Sequence, residues 1–75
     1  MKEEILQMLQ EINPFDEVDE NTELLKDFLD SMGLLLLINE LEEKYGVEIP
    51  LDQLELEHFE NLGNIIKFLE SIKTN

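Results

Sequence analysis

Residues 28–45 read FLDSMGLLLLINELEEKY, and this stretch decides the fold. Its apolar residues recur at positions i, i+3, i+4, i+7 and i+11, which is the periodicity of a helix with one buried face. The members of this core stripe are Leu34, Leu37, Ile38, Leu41 and Tyr45. Gly46 suits the position just after a helix, and Pro50 prevents any continuation. The pattern predicts a helix that begins at about Ser31 and ends near Lys44 or Tyr45.

Other segments with helical periodicity lie on either side of this one. The first spans about residues 2–12 and ends at Asn13, because the residue before a proline is disfavoured in the α conformation. The last spans about residues 62–72, with Asn61 as its N-terminal cap. A short helix is predicted over residues 51–56, with His58 and Phe59 in the turn that follows it.

The connection over residues 14–30 is long for a compact domain, which indicates a hidden helical turn, placed at about residues 22–26. Its apolar side chains are expected to pack into the core: Phe15, Val18, Leu24, Leu25, Phe28 and Leu29. No segment shows the alternation of a strand. The sequence therefore predicts an all-α, small four-helix bundle, with three main helices, one short helix and a long first loop, in a single domain over residues 1–75.

The charge of the chain is extreme, with 19 acidic and 5 basic residues and a net charge of −14. This charge excludes nucleic acid as a natural partner and favours partners with basic patches, although it is also compatible with a merely soluble surface. The chain has no cysteine, no visible signal peptide and no apolar run long enough to span a bilayer. We expect a cytoplasmic protein.

Ser31 lies at the start of the predicted central helix, directly after Asp30. At this position the unpaired N–H groups and the positive end of the helix dipole favour negative charge. The serine hydroxyl can remain in solvent, where it is open to modification. A phosphodiester on Ser31 would be electrostatically stabilised there. The simpler interpretation is an ordinary helix cap.

A series of short motifs in the chain occurs in a recognisable order. The series begins with Asp30-Ser31-Met32 and an apolar helix, and continues with Glu42-Glu43, Tyr45-Gly46 and Val47-Glu48-Ile49-Pro50. In these motifs and their order the chain resembles the acyl carrier protein family. The resemblance extends from about residue 24 to residue 72. It implies that Ser31 carries a 4′-phosphopantetheine arm, supplied from coenzyme A, whose thiol holds an acyl group as a thioester. Met32 stands where the family usually has leucine.

The same resemblance implies the partners of the chain. A phosphopantetheinyl transferase would install the arm with help from Asp30. A loading ligase and acyl-transfer enzymes, which carry basic docking patches, would then bind the modified chain. The docking face implied on the central helix comprises Met32, Leu35, Leu36, Glu40 and Glu43. The family usually has an acidic residue where Leu36 stands. We expect a monomer that binds no metal.

The sequence indicates the subgroup less clearly than it indicates the family. The tail PLDQLELEHFENLGNIIKFL and the run Leu29-Asp30-Ser31-Met32-Gly33 resemble those of D-alanyl carrier proteins, which are loaded by an adenylating ligase. Met32 and Leu36 depart from that subgroup, which more often has phenylalanine and an acid. Similar stand-alone carriers serve peptide or polyketide assembly and specialised acyl transfer. A fatty-acid carrier is a third option, weakened by Gly33, where that subgroup usually has an acid.

Two questions stay open at the level of sequence. Met32, Leu35 and Leu36 lie off the core stripe, and they are either buried by a bundle that wraps the helix or exposed as a docking patch. The exposed alternative also suits a different class of protein, an unmodified acidic helical adaptor that forms concentration-dependent oligomers.

An enzyme is disfavoured, because Ser31 would need a base and His58 is the only histidine. A catalytic or metal-binding role for His58 is equally disfavoured. Asp19, Asn21 and Glu23 alternate like the ligands of a calcium loop, but the glycine of such a loop is missing.

Overall fold

The computed structural model describes residues 1–50, 52 and 54–73. Three helices form its frame: α1 over Lys2–Ile12, α2 over Ser31–Tyr45 and α3 over Leu62–Lys73. A π-helical turn at Leu24–Phe28 and a 3-10 turn at Leu56–Phe59 complete it. The described residues contain no strand, and the predicted all-α bundle is confirmed. None of the helices in this part of the chain is long and apolar enough to cross a membrane.

Helix α2 begins and ends as its sequence predicts. The Asp30 side chain accepts a hydrogen bond of 2.7 Å from the backbone N–H of Gly33, which satisfies one of the unpaired donors of the first turn. At the other end, Gly46 has a φ of 63°, the left-handed conformation that glycine adopts without steric cost. Leu37, Ile38 and Leu41 are buried between these ends.

The predicted ends of the other two main helices are also confirmed. Helix α1 stops at Ile12, and Asn13 has left the helical conformation with φ −130° and ψ 85°. Helix α3 begins after Asn61, whose side-chain oxygen accepts a hydrogen bond of 2.9 Å from the N–H of Asn64. Both ends depend on local chemistry, a following proline in one case and a capping side chain in the other.

Helix α1 packs against both α2 and α3, and the 3-10 turn packs against α3. The core between them is formed by apolar side chains from every element, and the fully buried ones include Ile5, Leu9, Leu24, Leu37, Leu41, Phe59, Ile65 and Leu69. No polar or charged residue of the described chain is buried. Since full burial of such a side chain contributes roughly 1.5–3 kcal/mol, apolar packing carries the stability of this cysteine-free domain.

The long connection folds partly as predicted. Its helical turn lies at Leu24–Phe28, slightly later than expected, and it is tied to the far side of the bundle by a 2.8 Å hydrogen bond from Leu24 N–H to the Glu60 carbonyl. Leu24, Phe28 and Leu29 are buried, while Val18 and Leu25 are half-buried against the core. The expected core packing is therefore confirmed for these residues.

Phe15 was expected in the core, and this expectation was wrong, because its side chain is 93% exposed. The reason is the hydrogen bonding of Asn13. Its side-chain oxygen accepts from the Phe15 N–H at 3.1 Å, and its side-chain nitrogen donates to the Phe28 carbonyl at 2.9 Å and to the Asp16 carboxylate at 3.0 Å. Gln10 donates to the carbonyls of Asn13 and Asp16 as well. These contacts fix the loop so that Phe15 points outward.

The short helix predicted over residues 51–56 includes residues 51 and 53, which lie outside the described residues. Within the described part, Asp52 has 3-10 conformation, Glu55 is extended, and a 3-10 turn begins at Leu56. His58 and Phe59, expected in a plain turn, belong to this 3-10 turn. The prediction of one continuous helix over residues 51–56 is therefore wrong, because the chain is extended at Glu55.

Glu4 joins the beginning of α1 to the end of α2. Its carboxylate lies 3.2 Å from Lys44 Nζ and 3.3 Å from the terminal ammonium, and it accepts a hydrogen bond of 3.3 Å from the Tyr45 hydroxyl. The hydrogen bond from Lys44, followed by the one from the terminal ammonium, lowers the pKa of Glu4 below its ordinary 4.5. Burial, reinforced by the negative charge of Glu4, raises the pKa of Tyr45 above 10.0.

Candidate functional site

The start of α2 places Asp30 and Ser31 side by side at the surface. Asp30 is extended, with φ −94° and ψ −174°, and its carbonyl accepts the first hydrogen bond of the helix, 2.9 Å from Leu34 N–H. Ser31 is the first helical residue and is exposed, and its hydroxyl makes no hydrogen bond to any other described residue. The site therefore presents an accessible hydroxyl at the positive end of a helix whose first turn carries no acidic side chain.

Gly33 is buried under this helix start, and its small size has a packing reason. A Cβ at Gly33 would lie 3.1 Å from Leu29 Cδ2, 3.3 Å from Asp30 Oδ1 and 3.4 Å from Ile12 Cγ2. The glycine thus lets the first turn of α2 lie against the end of α1 while Asp30 caps it. Its helix propensity is about 1 kcal/mol worse than that of alanine, which is the cost of this close approach.

Met32, Leu35 and Leu36 form an exposed surface beside Ser31, which we name the α2 patch. Their side chains are 66%, 47% and 46% exposed. Burial by a bundle that wraps α2, the first of the two alternatives, is therefore excluded. Glu40 is half-buried and Glu43 is exposed, and both follow Leu36 at helical spacing on the same face. The five residues predicted as a docking face thus share one accessible surface.

A groove of about 520 Å³ adjoins the α2 patch at the helix start, and Met32 and Leu36 belong to both surfaces. Its walls come from the end of α1 and the loop after it, the π-helical turn, and the first turns of α2. We name it the loop–α2 groove, and its lining includes Asn13, Asp16, Lys26, Asp27, Met32 and Leu36. Asp30 and Met32, the two chain neighbours of Ser31, both line it.

The sequence did not indicate this groove. Asn13 was predicted only as the end of α1, and its contact with Phe28 joins residues 15 positions apart. No periodic pattern reports such a contact, and the only available signal was the polar side chain placed between a helix and a proline.

The comparison with known families shows the family of the chain. A family model described as the phosphopantetheine attachment site matches residues 3–69, nearly the whole chain. The chain belongs to this family of phosphopantetheine-binding carrier proteins.

Named carrier proteins resemble the whole chain. The D-alanyl carrier protein of Listeria monocytogenes serovar 1/2a is 33% identical over 75 residues, covering 96% of each chain. The acyl carrier protein of Sulfurovum sp. is 37% identical over 73 residues, covering 96% of this chain and 92% of the relative. The acyl carrier protein of Helicobacter pylori strain G27 is 41% identical over 58 residues, covering 76% and 72%. No solved structure gives a significant match.

Membership of the carrier family implies a covalently attached 4′-phosphopantetheine group. This group supplies a thiol that can hold a carried group as a thioester. The chain has two serines that could be attachment points. Ser71 lies within α3 and its hydroxyl donates to the Phe68 carbonyl at 2.8 Å, whereas Ser31 stands exposed at a helix start.

Asp19 and His58 are the remaining polar candidates, and the buried Nδ1 of His58 has no hydrogen-bond partner among the described residues. The Asp19 carboxylate accepts from the Asn21 N–H at 2.8 Å and from the Thr22 hydroxyl at 3.2 Å, so it stabilises a turn. Among the described residues, no group of acidic or histidine side chains is arranged to hold a metal ion. His58 is half-buried and stacks on Phe68, with ring centroids 4.2 Å apart and an interplanar angle of 13°.

Proposed function

We propose that residues 1–75 act as a single carrier domain whose arm is attached to the hydroxyl of Ser31. The carried group is an acyl or aminoacyl group, held as a thioester on the arm and delivered to partner enzymes. The chain itself catalyses no step in this proposal. The observation that carries it is the exposed, unpartnered hydroxyl of Ser31 at the N-terminus of α2.

The local electrostatics support Ser31 as the attachment point. A phosphodiester adds negative charge, and the N–H groups and dipole at the start of α2 stabilise charge of that sign. The carboxylate of Asp30, the residue before Ser31 in the chain, already accepts a hydrogen bond from the Gly33 N–H, so its charge is partly compensated by the helix. An exposed hydroxyl also meets the transferase without any local unfolding.

Asp30 is proposed to have two roles, as the cap of α2 and as a recognition group for the transferase. Its side chain is exposed although one oxygen is engaged by the helix. A carboxylate has lone pairs for further partners, and so Asp30 can cap α2 and accept a contact from the enzyme or its metal ion together.

The docking face is proposed to be the α2 patch together with Glu40 and Glu43. Exposed apolar side chains next to acids suit a partner surface with an apolar centre and a basic rim. The net charge of −14 would steer such partners toward the carrier at a rate that falls with ionic strength. These partners are the transferase and the enzymes that load and unload the arm.

Two cargo classes are proposed, since the named relatives include both acyl carrier proteins and D-alanyl carrier proteins. Incubation of the arm-bearing protein with D-alanine, ATP and an adenylating D-alanine ligase separates them. A mass increase by one alanyl group, reversed by hydroxylamine, would establish the D-alanyl carrier. No transfer from an active ligase would favour a different acyl cargo.

The experiment that tests the attachment is intact-mass spectrometry after incubation with coenzyme A and a broad-specificity phosphopantetheinyl transferase. We expect one added phosphopantetheine on the wild type and on Ser71→Ala, and none on Ser31→Ala. Addition to Ser31→Ala would refute Ser31 as the attachment point. A folded wild type that no transferase modifies would favour the unmodified adaptor, which predicts oligomers through the α2 patch in analytical ultracentrifugation.

A further inference from the structure

We propose that the loop–α2 groove holds the phosphopantetheine arm against the protein between encounters with partner enzymes. This inference rests on the proposed attachment at Ser31. The volume of the groove, about 520 Å³, lies within the range of roughly 300–1,000 Å³ that is usual for small-ligand sites. It adjoins the proposed attachment point, because both chain neighbours of Ser31, Asp30 and Met32, line it.

The lining of the groove matches the chemistry of the arm. Beyond its phosphate, the arm is a neutral chain that alternates amide and hydroxyl groups with a branched dimethyl carbon and methylene groups. Met32 and Leu36 offer the apolar part of the wall. Asp16 and Asp27 offer carboxylate oxygens that accept hydrogen bonds from amide N–H and hydroxyl groups.

Lys26 is the basic residue of this lining, and it can donate to the carbonyl oxygens of the arm. Its own ion pair is weak, since Nζ lies 3.9 Å from Glu23 and both side chains are largely exposed. Lys26 is therefore available to a ligand in the groove.

The charges in the groove also set the direction in which the arm enters. The carboxylates of Asp16, Asp27 and Asp30 repel a phosphate, so the phosphodiester is expected to stay at the N-terminus of α2. The neutral part of the arm enters the groove instead. Because the arm is tethered at the edge of the groove, weak contacts suffice, as a short tether gives an effective concentration in the millimolar range.

The groove is also rigid enough to serve as a site. Asn13 lines it, and its side-chain nitrogen donates to both Phe28 and Asp16 at 2.9 and 3.0 Å. These hydrogen bonds hold the loop wall in place before the arm arrives, which lowers the cost of ordering it on binding.

The test compares ¹H–¹⁵N spectra of the protein before and after the arm is added, with intact mass confirming the modification. The probes are the side-chain amide of Asn13 and the backbone amide of Asp16, which are distant in sequence from Ser31. The controls are the amides of His58 and Asn64, which line a groove that shares no lining residue with the loop–α2 groove. We expect the probes to shift and the controls to remain unchanged.

A matched pair of variants tests the contact itself. Lys26→Ala and Lys67→Ala each remove one exposed lysine, but Lys67 lines a different groove, next to His58. We expect Lys26→Ala to reduce the shifts of Asn13 and Asp16 severalfold and Lys67→Ala to leave them unchanged.

Three outcomes would overturn the inference. If the arm is added but shifts occur only at residues 30–33, the groove does not hold it, and the attachment stands. Shifts at His58 and Asn64 in place of shifts at Asn13 and Asp16 would place the arm in the other groove. A folded protein that accepts no arm would refute the proposed attachment, and the inference with it.

Discussion

Replacing Asp30 by alanine is expected to destabilise the protein by removing the cap of α2. The hydrogen bond of 2.7 Å from the Gly33 N–H is lost, and Ser31, the next residue, makes no hydrogen bond that could replace it within the described chain. Loss of an N-cap carboxylate costs about 1 kcal/mol, with a range of roughly 0.5–2 kcal/mol. For a domain of 60–100 residues, a loss of about 1 kcal/mol corresponds to a decrease in Tm of roughly 4–8 °C.

Asp30→Asn is the matched control, because asparagine caps a helix about as well as aspartate. It removes the favourable interaction of the charge with the helix dipole, which is worth about 0.3–1 kcal/mol. In a chain of net charge −14 it also relieves repulsion, so the two effects oppose each other. We expect the Tm of Asp30→Asn to stay within about 2 °C of the wild type.

The assay is thermal unfolding of both variants followed by circular dichroism, together with the rate of modification by the transferase. If Asp30 has both proposed roles, both variants are modified slowly but only the alanine variant is unstable. An alanine variant as stable as the wild type would contradict the capping role. An asparagine variant that is modified at the wild-type rate would contradict a requirement for the Asp30 charge in recognition.

Three further predictions concern the core, the loop and the pH dependence. Leu41→Ala removes a fully buried side chain and should lower the free energy of unfolding in urea by about 2–5 kcal/mol. Leu36→Ala, at a half-exposed position, should leave this free energy within about 0.5 kcal/mol of the wild-type value. Equal losses in the two variants would contradict the described core. Phe15→Ala should also change the unfolding free energy by less than about 0.5 kcal/mol, and a clear loss would mean that the ring is buried. Because Lys44 lowers the pKa of Glu4, this carboxylate stabilises the fold above pH 4.5 and ceases to do so as the pH falls through its lowered pKa. At neutral pH, Glu4→Gln should therefore unfold at a lower urea concentration than the wild type, and the two midpoints should converge in acid. A constant difference between the midpoints across this pH range would exclude a contribution from the lowered pKa of Glu4.

The sequence predicted features that depend on neighbouring residues. The ends of α2 follow from Asp30 and Gly46, and the start of α3 follows from Asn61, because capping is a local interaction. The buried face of α2 follows from its periodicity in the same way. The accessible hydroxyl of Ser31 was predictable for the same reason, since the first residue of a capped helix is a surface position.

Features that depend on contacts between distant residues could not be predicted. The exposure of Phe15 depends in part on the hydrogen bond between Asn13 and Phe28, which lie 15 positions apart. The need for a small residue at position 33 comes from Leu29 and Ile12, whose side chains pack against Gly33. Composition and periodicity indicate which side chains are apolar, but they do not indicate which other segment of the chain covers those side chains.

The hydrogen bonds of Asn13 have a consequence for the thermodynamics of recognition. Fixing the backbone of one residue costs roughly 1–2 kcal/mol in conformational entropy, so a floppy loop beside Ser31 would lose several kcal/mol whenever a partner ordered it. Here residues 13–16 are already held by side-chain contacts to Phe28 and Gln10. The entropy of this segment is lost once, during folding, and not again in each complex. A protein that must meet several enzymes in succession can then bind each of them weakly and leave quickly without its surface having to reorganise.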